Sequence, residues 1–251
     1  MFGRYFEPFV GGGAVFFARR PARSALTDVN TELIDCYRAI RDCVEDVIEA
    51  LREHTYERDH YYAVRAVEPK SLALAERAAR TIFLNKTGFN GLYRVNAAGK
   101  FNVPFGRYTN PQFCDEDNLR SCSLALQGVA IRVQNFEAVV RDAKPGDFVY
   151  FDPPYVPVSE TSDFTSYVAG GFSWKQHEKL ADVFRQLSHS GVYAMLSNSD
   201  TQAVRDLYVG FSLHEVHATR SVNSDATRRG RVSEVVIRNY GGSRSGRKYR
   251  G

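Results

Sequence analysis

Asp152-Pro153-Pro154-Tyr155 is the stretch that most constrains what this chain can become. It follows an apolar run, Phe148-Val149-Tyr150-Phe151, with the length and composition of a short buried β-strand. Neither proline can donate a backbone hydrogen bond and each fixes φ, so the strand must end here in a rigid, extended turn. A carboxylate, two proline carbonyls and an aromatic ring are thereby held at a strand's C-terminal edge, where open α/β sheets bind their ligands. An ordinary strand-ending turn with an exposed Asp152 has the same local pattern. The rest of the chain has to decide between them.

Near the N-terminus, Glu7-Pro8-Phe9-Val10-Gly11-Gly12-Gly13 leads into Ala14-Val15-Phe16-Phe17, which reads as a short strand, a glycine-rich turn and a helix start. Glycines let the backbone bend and approach a ligand closely, with helix N–H groups pointing at it. No third glycine stands where a G-x-G-x-x-G dinucleotide fingerprint needs one. Residues 24–28 read as a second strand ending in Asp28, an acid that can accept hydrogen bonds from ribose hydroxyls. Equally, Asp28 or Asn30 can cap the next helix. Apolar residues then recur at helical spacing from Thr31 to about His54, which predicts one long helix.

Residues 56–123 break this βα rhythm. Helical stretches near 59–68 and 72–84 lead into Asn85-Lys86-Thr87-Gly88-Phe89-Asn90-Gly91-Leu92-Tyr93-Arg94, and a hairpin is expected around 96–99. The segment ends in Phe101-Asn102-Val103-Pro104-Phe105-Gly106-Arg107-Tyr108. Basic, aromatic and amide residues interleaved in this way suit a nucleic-acid reader. A glycine-rich surface loop with tyrosines packed on the domain is the competing reading. The rhythm resumes with a strand at 129–133 and a helix near 137–142. Beyond Tyr155, residues 156–172 read as a flexible loop over the site. A helix at 174–188, a strand at 192–196, a turn at Ser197-Asn198-Ser199-Asp200 and a strand pair at 211–218 and 232–239 follow. The arginine-rich connection at 220–231 looks phosphate-contacting, and the Gly/Ser/Arg-rich tail at 241–251 reads as disordered.

The net charge of +4 is unevenly distributed: from Ala218 onward nine Lys/Arg face two acids, leaving the remainder at −3. A local basic surplus is what a surface meeting a polyanion carries. The four cysteines form no C-x-x-C pair and the six histidines no H-E-x-x-H spacing, so no metal site is expected. No apolar run approaches a membrane span and no signal-peptide pattern opens the sequence, which suits a reducing cytoplasm.

Taken together, these motifs resemble the Dam-type DNA adenine N6-methyltransferases. The glycine turn is similar to that family's cofactor loop, residues 90–94 and 101–108 to its target-recognition hairpin, and Asp152-Pro153-Pro154-Tyr155 to its catalytic motif, in the family's order. The resemblance implies a Rossmann-like α/β methyltransferase sheet, mostly parallel with an antiparallel last strand. It implies S-adenosylmethionine as methyl donor and double-stranded DNA as substrate, and a monomer is assumed. Residues 1–55 and 124–240 would form the catalytic domain and 56–123 the recognition domain. Phe9, Gly11, Gly13, Asp28, Phe136 and Asp152 would border the cofactor. Asp152, Pro153, Pro154 and Tyr155 would act on an adenine flipped out of the duplex. Leu92, Arg94 and Pro104 match base-contacting positions of members that read GATC, and Phe89 and Asn90 match residues that fill the gap left by the flipped base. Lys86, Arg107, Arg220, Arg228 and Arg229 complete the expected DNA-binding set. The family normally begins with a Lys-Trp-Ala-Gly-Gly-Lys-like segment well ahead of the cofactor loop, whereas here only Met1 to Phe6 precede Glu7. The alternatives are therefore a DNA-binding homologue with an impaired cofactor pocket, or a methyltransferase acting on RNA or protein.

Overall fold

Short apolar runs and 3.6-period segments become strands and helices largely where the pattern marks them. The computed structural model describes residues 2–96, 98–157, 172–218 and 232–241. Arg220, Arg228 and Arg229, most of the loop expected over the site and almost all of the tail lie outside these residues. The first half runs β1 (Tyr5–Glu7), α1 (Ala14–Arg19), β2 (Ser24–Asp28), α2 (Thr31–Asp42), α3 (Val44–Arg52), α4 (Arg58–Ala66), α5 (Leu74–Thr87) and α6 (Glu116–Leu126). The second half runs β3 (Ala130–Val133), α7 (Val139–Asp142), β4 (Phe148–Phe151), α8 (Trp174–His189), β5 (Tyr193–Ser199), α9 (Gln202–Leu207), β6 (Ser212–Ala218) and β7 (Val232–Arg238). The seven strands make the expected mixed sheet, mostly parallel with an antiparallel end.

The chain divides into two compact units, Met1–Phe9 with Phe136–Gly251, and Val10–Asn135. In the first, β1 and β5 each pair parallel with β4, and β7 pairs antiparallel with both β5 and β6. Val149, Phe151, Ala194, Leu196, Val235 and Ile237 are fully buried, as central strands covered on both faces require. Helix α8 contributes buried Leu180, Ala181 and Phe184. Its Ser173 N–H donates to Gln176 Oε1 at 2.7 Å, satisfying one of the orphan donors at a helix start.

In the second unit, β2 and β3 pair parallel, and a helical core gathers Val47, Ile48, Leu51, Tyr61, Ala79, Phe83 and Leu84. Buried Arg80 donates to the Val64 and Arg65 carbonyls, which fastens the end of α4 to α5. The stretch expected to read DNA, 56–123, lies within this unit.

Three elements differ from the sequence reading. The single helix expected from Thr31 is two, broken at Cys43 with φ −148° and ψ 52°. Glu45 and Asp46 sit in the first turn of α3, where acids favour a new helix start. The break keeps Cys36, Ala39, Val47, Ile48 and Leu51 in one cluster, so the periodicity never lapses. Helix α6 was not anticipated, although the Asp115 carboxylate caps it by accepting from Asn118 N–H at 3.2 Å. Ser197-Asn198-Ser199 is not a turn. It continues β5, because β7 supplies the antiparallel partners Val236, Val235 and Glu234.

One buried histidine, His177, and one half-buried, His54, make folding acid-sensitive. Burial holds His177 down at about 4, and burial with neighbouring His60 does the same to His54. Folded pKa values below the unfolded value near 6.5 mean that the native state binds fewer protons than the unfolded chain. Stability is thus fully present above about pH 6.5 and is lost as pH falls towards 4. Urea midpoints are expected to drop across that window, and His177→Phe to flatten the drop.

Candidate active site and nucleic-acid interface

The first unit carries the Asp-Pro-Pro-Tyr turn directly after β4. Asp152 is exposed, Pro153 buried, and Tyr155 half-buried. Ser197 Oγ donates to Asp152 Oδ1 at 2.6 Å, and Tyr150 Oη lies 3.1 Å from the same Ser197 oxygen. Ser197 has one proton, already given to Asp152, so Tyr150 must be the donor in the second bond. Burial pushes the Tyr150 phenol up to about 12, with Asp152 and Glu7 adding to the effect, which keeps it protonated at neutral pH. The result is a directed chain from Tyr150 through Ser197 to one carboxylate oxygen. Among the described residues, no other hydrogen bond ends on that carboxylate.

Asn198, buried at the same strand end, accepts from Val156 N–H at 3.0 Å and ties the segment after the prolines to β5. Tyr155 Oη is 3.5 Å from Glu234 Oε2, and burial raises its phenol pKa. Phe9 stacks on Phe136 at 5.2 Å and 24°, and Phe172 meets Phe9 edge-on at 5.5 Å. Two expected cofactor neighbours are therefore in contact. Ser197 and Asn198 went unrecognised in the sequence. Their signal was a polar triplet closing an apolar strand, which turns and buried sites share.

The second unit holds the glycine turn and the strand-end acid. Asp28 accepts from Asn30 N–H through Oδ1 at 3.0 Å and from Gly11 N–H through Oδ2 at 3.3 Å. Asn30, not Asp28, caps α2, accepting from Leu33 N–H at 3.2 Å. Tyr37 Oη donates to the Gly11 carbonyl at 2.9 Å. Gly13 has φ +64°, and a Cβ there would stand 2.6 Å from Tyr37 Oη. A side chain is thus excluded on both conformational and steric grounds. A Cβ at Gly12 would meet nothing within 4 Å, so the turn is open on that side. A carboxylate accepts about four hydrogen bonds, which leaves Asp28 capacity for two hydroxyls. The free acceptors of Asp28 suit the ribose hydroxyls of a nucleoside cofactor such as S-adenosylmethionine.

The expected DNA-reading segment follows α5 in the same unit. Asn90 adopts φ 53°, a left-handed conformation that asparagine tolerates better than most side chains, and Asn85 Nδ2 donates to the Gly91 carbonyl at 2.7 Å. Tyrosines pin the loop from beneath: Tyr61 donates to the Val103 carbonyl, Tyr56 to Gly106 and Tyr108 to Gly88, at 2.9 to 3.0 Å. The hairpin is formed by isolated bridges, Val95↔Phe101 and Gly88↔Phe105, and not by extended strands. Packed tyrosines and exposed basic, amide and apolar side chains thus coexist in this segment. Lys86, Phe89, Asn90, Leu92, Arg94, Pro104 and Arg107 are all exposed. Arg94 is held by Asn102, through Nε to Oδ1 at 2.8 Å and Nη2 to the carbonyl at 3.2 Å.

Among the described residues, no group of three or more His, Cys, Asp or Glu is placed to hold a metal. None of their helices is long and apolar enough to cross a membrane.

The chain is similar to known DNA methyltransferases. The chain is 43% identical over 248 residues to the type II methyltransferase M1.LlaDCHI of Lactococcus lactis subsp. cremoris, covering 96% of this chain and 87% of that protein. It is 39% identical to the type II methyltransferase M.MjaIII of Methanocaldococcus jannaschii, covering 94% and 88%. It is 35% identical to the DNA adenine methylase of Escherichia coli K12, covering 92% and 84%. Residues 2–222 match the D12 class N6 adenine-specific DNA methyltransferases, and the chain belongs to that family.

Proposed function

We propose that this enzyme transfers a methyl group from S-adenosylmethionine to N6 of an adenine flipped out of double-stranded DNA, within GATC. The hydrogen-bond chain from Tyr150 through Ser197 to Asp152 is the observation that carries the reading. The exocyclic amine of adenine is a weak nucleophile because its lone pair is delocalised into the ring. Asp152 and the Pro153 carbonyl accept its two N–H bonds, which draws N6 towards tetrahedral geometry and localises the lone pair. Ser197 occupies Oδ1 and so orients the carboxylate, leaving Oδ2 for the amine. Tyr155 stacks on the base, worth ~1–3 kcal/mol by analogy with other base–aromatic stacks. Phe9, Gly11 and Gly13 would border the methionine part of the cofactor, Asp28 its ribose and Phe136 its adenine. When bound, the cofactor supplies an electrophilic methyl on a sulfonium. Most of the rate then comes from alignment of the two reacting atoms.

Residues 56–123 act as the recognition domain, and the arginines at 220, 228 and 229 as phosphate contacts. Similarity to two type II methyltransferases supports a place beside a restriction endonuclease in the cytoplasm. Tritiated methyl transfer to unmethylated duplex DNA, with mapping of the modified base, tests the proposal. DNA binding without label transfer would indicate an impaired homologue, and label in RNA or protein a different substrate.

Ser197→Ala is expected to lower kcat roughly 10- to 100-fold, as loss of a hydrogen bond to a charged group costs about 1.5–3 kcal/mol. The KM for S-adenosylmethionine should change little, and Ser197→Thr, which keeps the hydroxyl, should recover most of the rate.

A further inference from the structure

Four of the expected DNA-binding residues, Phe89, Asn90, Pro104 and Arg107, line one cleft of ≈ 450 Å³ together with Arg58 and Tyr62. Arg58 and Tyr62 come from α4, outside the segment that the recognition motifs mark. No Asp or Glu lines the cleft; Glu57 and Asp59, the sequence neighbours of Arg58, are exposed and outside its lining.

The arginines of this unit are mostly committed. Arg52 and Arg120 pair with Glu116, Arg77 pairs with Asp35, and Arg80 is spent largely on carbonyls. Arg65 also sits over the Tyr62 ring, 4.6 Å from its centroid, but its Nη1 donates to the Val103 carbonyl. Arg58 differs. Its guanidinium lies 5.5 Å from the centroid of the same ring, and among the described residues it has no carboxylate partner. Arg107, also in the lining, has none among the described residues either. A cation placed by an aromatic face keeps its planar N–H donors free for bidentate bonding. Two cations on one ring, with a third in the cleft and no acid lining it, leave a positive site that an anion would neutralise.

We propose that Arg58 and Arg107 bind a backbone phosphodiester of the substrate DNA in this cleft. Tyr62 holds Arg58 in position, and the contact carries no sequence information. The inference rests on DNA being the substrate, and its test needs no methyl transfer. Affinity is measured against salt concentration on duplexes with and without GATC, for the parent chain, Arg58→Ala and Arg58→Lys.

One lost phosphate contact reduces the slope of log affinity against log salt by about 0.9, so Arg58→Ala should bind about eight-fold more weakly near 0.1 M salt and converge with the parent towards 1 M. Both duplexes should weaken equally, Arg58→Lys should keep the parental slope, and turnover at saturating DNA should persist. An unchanged slope overturns the proposal, and so does weakening confined to GATC, which would make Arg58 a base reader. Should Arg58→Ala fold poorly, Arg58→Gln gives the same reading with the side-chain length preserved. Loss of methyl transfer in the parent, with the salt result intact, would count against the proposed reaction and not against this contact.

Discussion

Asp152→Ala is expected to reduce methyl transfer roughly 10²–10⁴-fold, the range for removing a positioned proton acceptor. Cofactor binding should largely survive, because Gly11, Gly13 and Asp28, the proposed main holders of the cofactor, are untouched by the substitution. Single-turnover transfer on unmethylated duplex, beside calorimetric titration of S-adenosylmethionine, separates the two effects. Asp152→Asn is the more searching variant. Its amide keeps the volume and can still accept from Ser197, yet it has no negative charge with which to draw the amine proton. Near-parental turnover in Asp152→Ala would remove the turn from the mechanism.

Arg94→Ala is expected to relax target choice at a single base pair, with a loss of ~1–3 kcal/mol of discrimination there. Asn102 occupies two of the five guanidinium N–H donors, leaving three for a base edge. The bond to Asn102 also fixes the plane in which they point. Competition among duplexes substituted one position at a time reads this directly. Uniform weakening on every duplex would reassign Arg94 to the phosphate backbone, the behaviour expected of Arg58.

The parallel part of the sheet was legible because its strands carry their own signal. Residues 24–28 end in an acid and the apolar run 148–151 is followed by one, and the structure places both strands at those bounds. Ser197-Asn198-Ser199 misled because the reason for its extended conformation lies in β7, far along the chain. Nothing local distinguishes three polar residues in a turn from three buried ones that serve a site. The break at Cys43 was hidden for the opposite reason: local periodicity is intact across it, and only the backbone records the change. Within the candidate site, Asp152 and Asp28 were visible as strand-end acids, but their supports were not. Ser197 and Tyr150 acquire their roles through hydrogen bonds that no spacing rule contains.

The bond between Ser197 and Asp152 joins residues 45 apart in sequence, on a strand whose far side is completed only by Val236 and its neighbours in β7. Non-local pairings of this kind must overcome loop-closure entropy before they stabilise anything, so they form late in folding. Orientation of the Asp152 carboxylate is therefore expected to come late in the folding of a newly made chain. A nick between β5 and β7 would leave the Asp-Pro-Pro-Tyr turn covalently intact while weakening the support that orients Asp152.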